Sequence, residues 1–330
     1  MSDKELKPLL DIVSYGRDIP MNWRPLTLSQ IKLVTRTVGR TPEVMVKVLN
    51  RGSSSVAGVG RHVGYIGRQG EVVELEADDG EILQGQEAGN SLVADWNLDL
   101  VHLRGKANLT PNKPKKPPRL VYKLIFSMPA GTPPDKVKTA VRNFAREEFG
   151  LKHRYVMALH TDEPHPHVHL VLKATSDAGR RLYIQKATLR EWREGFVHHL
   201  WALGVAANAT PRHVRGETRT RKSDGIYRAM LRGESTHFRK RAEAVAGELV
   251  RGKLQVEPGK SKLLRTREEV SRGWLAMSDE LTRQGYPEIA AQVTRYVEQM
   301  PRPLTEKEHI ATQLLERARK PRVREPEFSR

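Results

Sequence analysis

Residues 154–173 read Arg-Tyr-Val-Met-Ala-Leu-His160-Thr-Asp-Glu-Pro-His165-Pro-His167-Val-His169-Leu-Val-Leu-Lys. Two apolar runs, 154–160 and 167–173, flank a short polar segment that contains Pro164 and Pro166. The pattern predicts two strands joined by a turn, an antiparallel hairpin. Side chains alternate faces along a strand, so His167 and His169 share one face while Val168 and Leu170 share the other. His160 ends the partner strand, which brings three imidazoles to one end of the hairpin.

Working outward, Arg119–Ser127 is a further strand. Pro133-Pro-Asp135 then opens a helix with Val137, Val141, Phe144 and Phe149 on its inner side and Gly150 as its stop. The order β-α-β-turn-β makes 119–127 and 154–160 expected parallel neighbours. A helix from about Thr188 should bury Leu189, Trp192, Phe196, Leu200 and Leu203 before Gly204. Upstream, Met45–Leu49 is a short strand and Ser55 caps a helix over about 56–67. The expected fold class is α+β, an antiparallel-rich sheet with helices packed on one face, plus an α-helical C-terminal region. Helices are expected there at 236–251, 266–284, 287–299 and 305–319, the last opened by a capping box, Thr305-x-x-Glu308. The expected domains are an N-terminal extension (1–40), the sheet domain (41–223, with an acidic segment at 71–100) and the helical region with a basic tail (224–330).

The 330 residues hold 57 Lys and Arg against 39 Asp and Glu, a net charge of +18. So large an excess points to a polyanion, above all nucleic acid, and away from a small neutral substrate. Cysteine is absent, which excludes disulfides, thiolate metal sites and cysteine nucleophiles. With no long apolar run and no signal-like start, the chain is expected to be soluble and cytoplasmic, without membrane insertion. The charge is segregated: residues 71–100 carry nine acids and no Lys or Arg, which leaves +27 elsewhere. Basic stretches occupy 104–123 (with Lys113, Lys115 and Lys116), 212–222 (Arg212, Arg215, Arg219, Arg221, Lys222) and the C-terminus. The first reads equally as a solvated linker or a backbone-phosphate patch. Together 104–123 and 212–222 are candidates for tracking single-stranded DNA.

His160, His167 and His169 form a facial three-nitrogen set for a divalent cation, with positions left open for phosphate oxygens. Asp162 is placed to accept the second ring N–H of one of them. His165, between two prolines, reads as a turn residue or outer partner, and His198 and His199 as structural or surface residues. Ligand softness favours Mn, Zn, Ni or Co and cellular abundance favours Mg, so Mg or Mn is the expected cofactor. In the helix over 56–67, Val56, Val59, Val63 and Ile66 fall within a sector of about 80°. Tyr65 lies about 140° from its middle, with Arg61 and Arg68 within about 60° of Tyr65. Gly58, Gly60, Gly64 and Gly67 weaken this helix by roughly 1 kcal/mol each relative to Ala, which close approach of another backbone would explain.

His160-Thr-Asp-Glu-Pro-His-Pro-His-Val-His-Leu-Val-Leu172 resembles the third motif of conjugative relaxases. These are the mobilization nucleases that include the T-DNA border endonuclease, within the endonuclease class named for its His-hydrophobe-His signature. Segments 120–150 and 189–216 are also similar, so the resemblance covers roughly residues 45–235. It implies a palm-like nuclease domain and metal-dependent, site- and strand-specific nicking at an origin of transfer. The nucleophile it implies is a tyrosine that becomes joined to the 5′ phosphate and later returns the strand, and position by position it falls on Tyr65. The implied partners are single-stranded DNA at the nick site, accessory relaxosome proteins and a type IV secretion coupling protein, with export alongside the DNA into a recipient cell. The tail from Glu316 resembles the arginine-containing tails those secretion systems recognise. The acidic segment departs from the family's pattern and obscures its second motif, a DNA-contacting serine. A rolling-circle replication initiator, a non-catalytic DNA-binding accessory protein and a zinc phosphoesterase are the competing readings.

Overall fold

Six strands form one sheet: β1 (Met45–Leu49), β2 (Leu75–Ala77), β3 (Ile82–Leu83), β4 (Val121–Ser127), β5 (Tyr155–His160) and β6 (His167–Lys173). Their order is β1-β4-β6-β5-β2-β3, and each neighbouring pair is antiparallel. The computed structural model describes residues 25–49, 54–67, 74–83, 88–98, 118–217, 229 and 232–319. They fall into two units, residues 40–209 and a second made by the residues before 40 together with those from 210 on.

The expected β5–β6 hairpin forms, with His160 directly opposite His167. The expected β4–β5 neighbourhood does not, because β6 lies between them and pairs with both. Six of the seven residues of β6 are buried, so it takes the position where both edges and both faces are covered. The crossover from β4 to β5 leaves room for one strand, and the tight hairpin returns β6 into it.

Helices cover both faces rather than one. Helices α2 (Val56–Ile66) and α3 (Ala88–Asp95) place Val59, Val63, Ile66 and Leu92 against Val121, Val156, Ala158 and Val171. On the opposite face, α4 (Pro134–Phe149) and α5 (Lys186–Ala202) pack Phe144, Phe149, Trp192 and Phe196 on Leu124, Phe126, Leu170 and Leu172. The central strands are apolar on both sides, and a one-sided arrangement would have left Val121, Val156 and Val171 in water.

Helices α2 and α3 approach closely at a glycine of α3, and α2 ends at a glycine packed on β2. A Cβ on Gly89 would lie 2.5 Å from the Gly60 carbonyl oxygen, and one on Gly67 would lie 2.9 Å from Leu75 Cδ1. A Cβ on Gly64 would meet nothing within 4 Å.

The acidic segment contributes β2, β3 and α3, and five of its carboxylates are paired. Arg142 grips both oxygens of the buried Glu76, and Lys138 reaches Glu74 at 3.1 Å. Arg154 reaches Asp78 and Asp95, both at 2.9 Å, and Asp79 at 3.8 Å. These pairs fasten the short outer strands to α4 and β5, a structural duty for the acidic segment.

The second unit is helical: α1 (Leu28–Val38), α6 (Thr236–Val250), α7 (Lys260–Arg283), α8 (Pro287–Glu298) and α9 (Glu306–Arg319). The α1 segment falls in the expected N-terminal extension, yet it is a helix with a Thr27/Gln30 capping box. Leu26, Ile31 and Val34 join Val270, Trp274, Met277 and Val293 in one core. The helix is amphipathic, with Ile31, Val34 and Thr37 on its buried side. Residues 210–217, placed in the sheet domain by the sequence, belong here, since Val214 is in that core and its carbonyl accepts from Trp274 Nε1 at 2.8 Å. Helix α7 begins at Lys260 instead of 266; the Lys260 ammonium donates to the Pro303 carbonyl and pairs with Glu308. The Thr305–Glu308 capping box forms in both directions. Among the described residues no helix is long and apolar enough to cross a membrane.

Gly89→Ala should destabilise the protein by about 1–3 kcal/mol, since two backbones must part. Gly64→Ala should stabilise it by up to about 1 kcal/mol. Denaturant unfolding of both variants checks the pair.

Candidate active site

The site is built at one end of the β5–β6 hairpin, on the face covered by α2. His160, His167 and His169 have ring centroids 4.6–5.3 Å apart. One nitrogen of each lies within 4.8 Å of the others. His160 and His169 are buried and His167 is half-buried.

Two of the three tautomers are set by backbone carbonyls, which can only accept. His160 Nε2 donates to the Ile66 carbonyl at 2.7 Å, so Nδ1 carries the lone pair. His167 Nδ1 donates to the His165 carbonyl at 3.0 Å, leaving Nε2. The partner expected of Asp162 is thus backbone for these two rings. Asp162 lies exposed in the turn, and its charge favours the protonated form of His169. His165 is the outer partner of His167, and its own Nδ1 accepts from the Ala130 N–H at 3.0 Å.

Buried His169 Nδ1 has no hydrogen-bond partner among the described residues. Burial, followed by the neighbouring His160, His167 and His62, pushes the His169 imidazole down to about 3. A neutral ring with an unsatisfied nitrogen, beside two rings with directed lone pairs, is the donor set a divalent cation requires. His160, His167 and His169 would hold such a cation through one nitrogen each.

Helix α2 crosses this cluster. Its N-terminus is set by Ser55, whose hydroxyl accepts from the Gly58 N–H, and Val59, Val63 and Ile66 face the sheet. Tyr65 is left 60% exposed, one residue from the carbonyl that holds His160. Arg61 is exposed on the same helix, with its Nε donating to the Ala57 carbonyl at 3.3 Å.

The motifs above pass over two neighbours of the cluster. His62 stacks on Tyr65 and meets His169 edge-on, each at 6.3 Å between ring centroids. Burial, then the charges of Lys123 and His160, pushes His62 down to about 4. Lys123 is buried in β4, and burial lowers it to about 8. Both carried a signal: His62 lies three residues before Tyr65 on a helix, and Lys123 interrupts an apolar strand on the face of Val121.

The other candidates lie elsewhere or outside the described residues. Arg212 and Arg215 belong to the second unit, where Arg215 pairs with Glu217. Arg68, Lys113, Lys115, Lys116, Arg219, Arg221, Lys222 and the tail beyond 319 are outside the described residues. His199 pairs with Glu147 at 3.0 Å and His198 packs on Trp201, both on α5 away from the site.

Three imidazoles on two paired central strands are thus crossed by a helix that carries an exposed tyrosine. Residues 79–197 match the relaxase family described as MobA/VirD2-like, nuclease domain. That match covers about a third of the chain and supports a relaxase-type nuclease role in mobilization. The matched segment holds all three histidines and begins after Tyr65. No curated protein matches the chain.

His169→Leu should abolish Mn²⁺ binding in a calorimetric titration. Its unfolding midpoint should hold or rise, since the buried nitrogen has no bond to lose among the described residues.

Proposed function

We propose that the protein is a DNA relaxase that nicks one strand at an origin of transfer, with Tyr65 as nucleophile and His160, His167 and His169 as ligands of a divalent cation. The reading is carried by the 2.7 Å hydrogen bond from His160 to the Ile66 carbonyl, which couples the tyrosine's helix to the histidine cluster. A cation held there, Mg or Mn in use, would supply Lewis-acid neutralisation of the charge that develops on the scissile phosphate.

The protein's own groups do the rest. A phenol titrates near pH 10, so its proton must leave as the new bond forms. Tyr65 Oη attacks the phosphorus in line; the P–O3′ bond breaks and the 3′ oxygen leaves as a hydroxyl, taking up a proton. A 5′-phosphotyrosine remains. The bond lost is a phosphodiester and the bond gained is another, so the reverse step rejoins the strand without an energy source. A water-using nuclease has no such return path, and for this reason the exposed tyrosine matters to transfer.

Arg61 flanks the phenol and is assigned to the phosphate backbone, as are Arg68 and the basic stretches 113–116 and 212–222. The supply of accessory relaxosome proteins and a secretion coupling protein, together with export of the protein on its strand, belongs to the same proposal. The paired histidines and Tyr65 favour this reading over a non-catalytic DNA-binding protein, and the net charge of +18 favours it over a small-phosphoester hydrolase.

Tyr65→Phe should bind a single-stranded origin oligonucleotide as the wild type does and form no covalent adduct on a denaturing gel. An adduct that survives refutes the assignment. Exhaustive chelation should stop cleavage, and each phosphate contact should add about 0.7 to the salt slope of binding.

A further inference from the structure

The contacts of α2 with the histidine cluster place one side chain between nucleophile and cation site. His62 lies one turn before Tyr65, and residues three apart on a helix are neighbours on its surface. The two rings are close to parallel, 19° apart, with centroids at 6.3 Å. The same imidazole presents itself to His169 at 70° and 6.3 Å. Both geometries are those in which flat rings attract, offset-stacked and edge-to-face.

Tyr65 needs such a neighbour. It is 60% exposed, and the described residues give it no hydrogen bond and no ring contact besides His62. A tyrosine in that position would exchange among staggered rotamers, and only some of them direct Oη toward a phosphate at the cluster. Helix α2 is meanwhile fixed to the cluster at two points one turn apart: His62 against His169, and the Ile66 carbonyl on His160. Tyr65 is carried between those points, and only the first touches its ring.

We infer that His62 is a positioning residue for Tyr65: its imidazole, set between Tyr65 and His169, holds the phenol ring in the orientation from which Oη attacks the phosphate. The inference rests on Tyr65 being the nucleophile. The role is one of ring packing, so another flat ring should fill it.

Two variants of the full-length protein test this, His62→Ala and His62→Phe. Alanine favours a helix more than histidine does, so α2 should persist in the first. Adduct formation on a single-stranded origin oligonucleotide gives kcat and the binding constant separately. The Tyr65 ring signal in protein with ¹³C-labelled tyrosine, assigned by its loss in Tyr65→Phe, reports the contact without any cleavage. In His62→Ala, kcat should fall roughly 10- to 100-fold, DNA affinity should stay within about twofold, and the ring-current shift of Tyr65 should disappear. His62→Phe should restore both rate and shift.

Unchanged rate and unchanged Tyr65 signal in His62→Ala overturn the inference alone. So does a His62→Phe protein that keeps the ring-current shift but is as slow as the alanine variant, since that assigns the work to an imidazole nitrogen. A wild-type protein that forms no adduct on the origin strand, with the Tyr65 shift present, refutes the nucleophile assignment and, with it, the positioning role.

Discussion

Strand β6 is hydrogen-bonded along both edges, to β4 over seven residue pairs and to β5 over six. The rest of the site depends on that constraint. A strand paired on both sides has its backbone groups satisfied and its pleat fixed, so the directions of His167 and His169 are determined by register rather than by loop conformation. His160 enters through the same register, opposite His167. Three converging imidazoles are thereby mounted on strands whose place in the sheet is fixed by pairing. The short outer strands and the helices are then attached to this centre, β2 through the Glu76–Arg142 and Asp78–Arg154 pairs and α2 through the Ile66 carbonyl.

Local pattern made most elements legible. Alternation and flanking prolines sufficed for β5, β6 and their turn, and apolar spacing with caps sufficed for α2, α4, α8 and α9. Tyr65 stood out because its own helix excludes it from the buried sector. What local pattern does not contain is which strand inserts between which: a crossover helix permits β5 either beside β4 or one place away, and only the burial of β6 on both faces decides it. The second cover of helices was hidden for a related reason, because a strand apolar on both faces shows no alternation. Sequence proximity suggests Asp162 as the partner of a ring N–H, whereas a carbonyl brought in from α2 holds His160 and the carbonyl of His165 in the turn itself holds His167.

The charge pattern divides along similar lines. Composition distinguished an acidic segment from a basic remainder, and the structure gives five of those acids partners on α4 and β5. A negative segment beside a DNA-binding surface would repel the strand. Neutralised by Lys138, Arg142 and Arg154, those five carboxylates instead hold the outer strands in place.

Helix α2 shows how these constraints combine. Its glycines make it weak in isolation, yet α3 closes on it so tightly that a Cβ on Gly89 would strike the Gly60 carbonyl. Its position therefore derives from contacts with α3, the sheet and the histidines, and little from its own propensity. On a self-sufficient helix Tyr65 would keep its place whatever the arrangement of the histidines. On α2, the carbonyl that orients His160 and the imidazole that meets His169 belong to the same turn as Tyr65. A change that displaces the histidines acts on the turn that carries the phenol, so the geometry of the histidine cluster and of Tyr65 is set together.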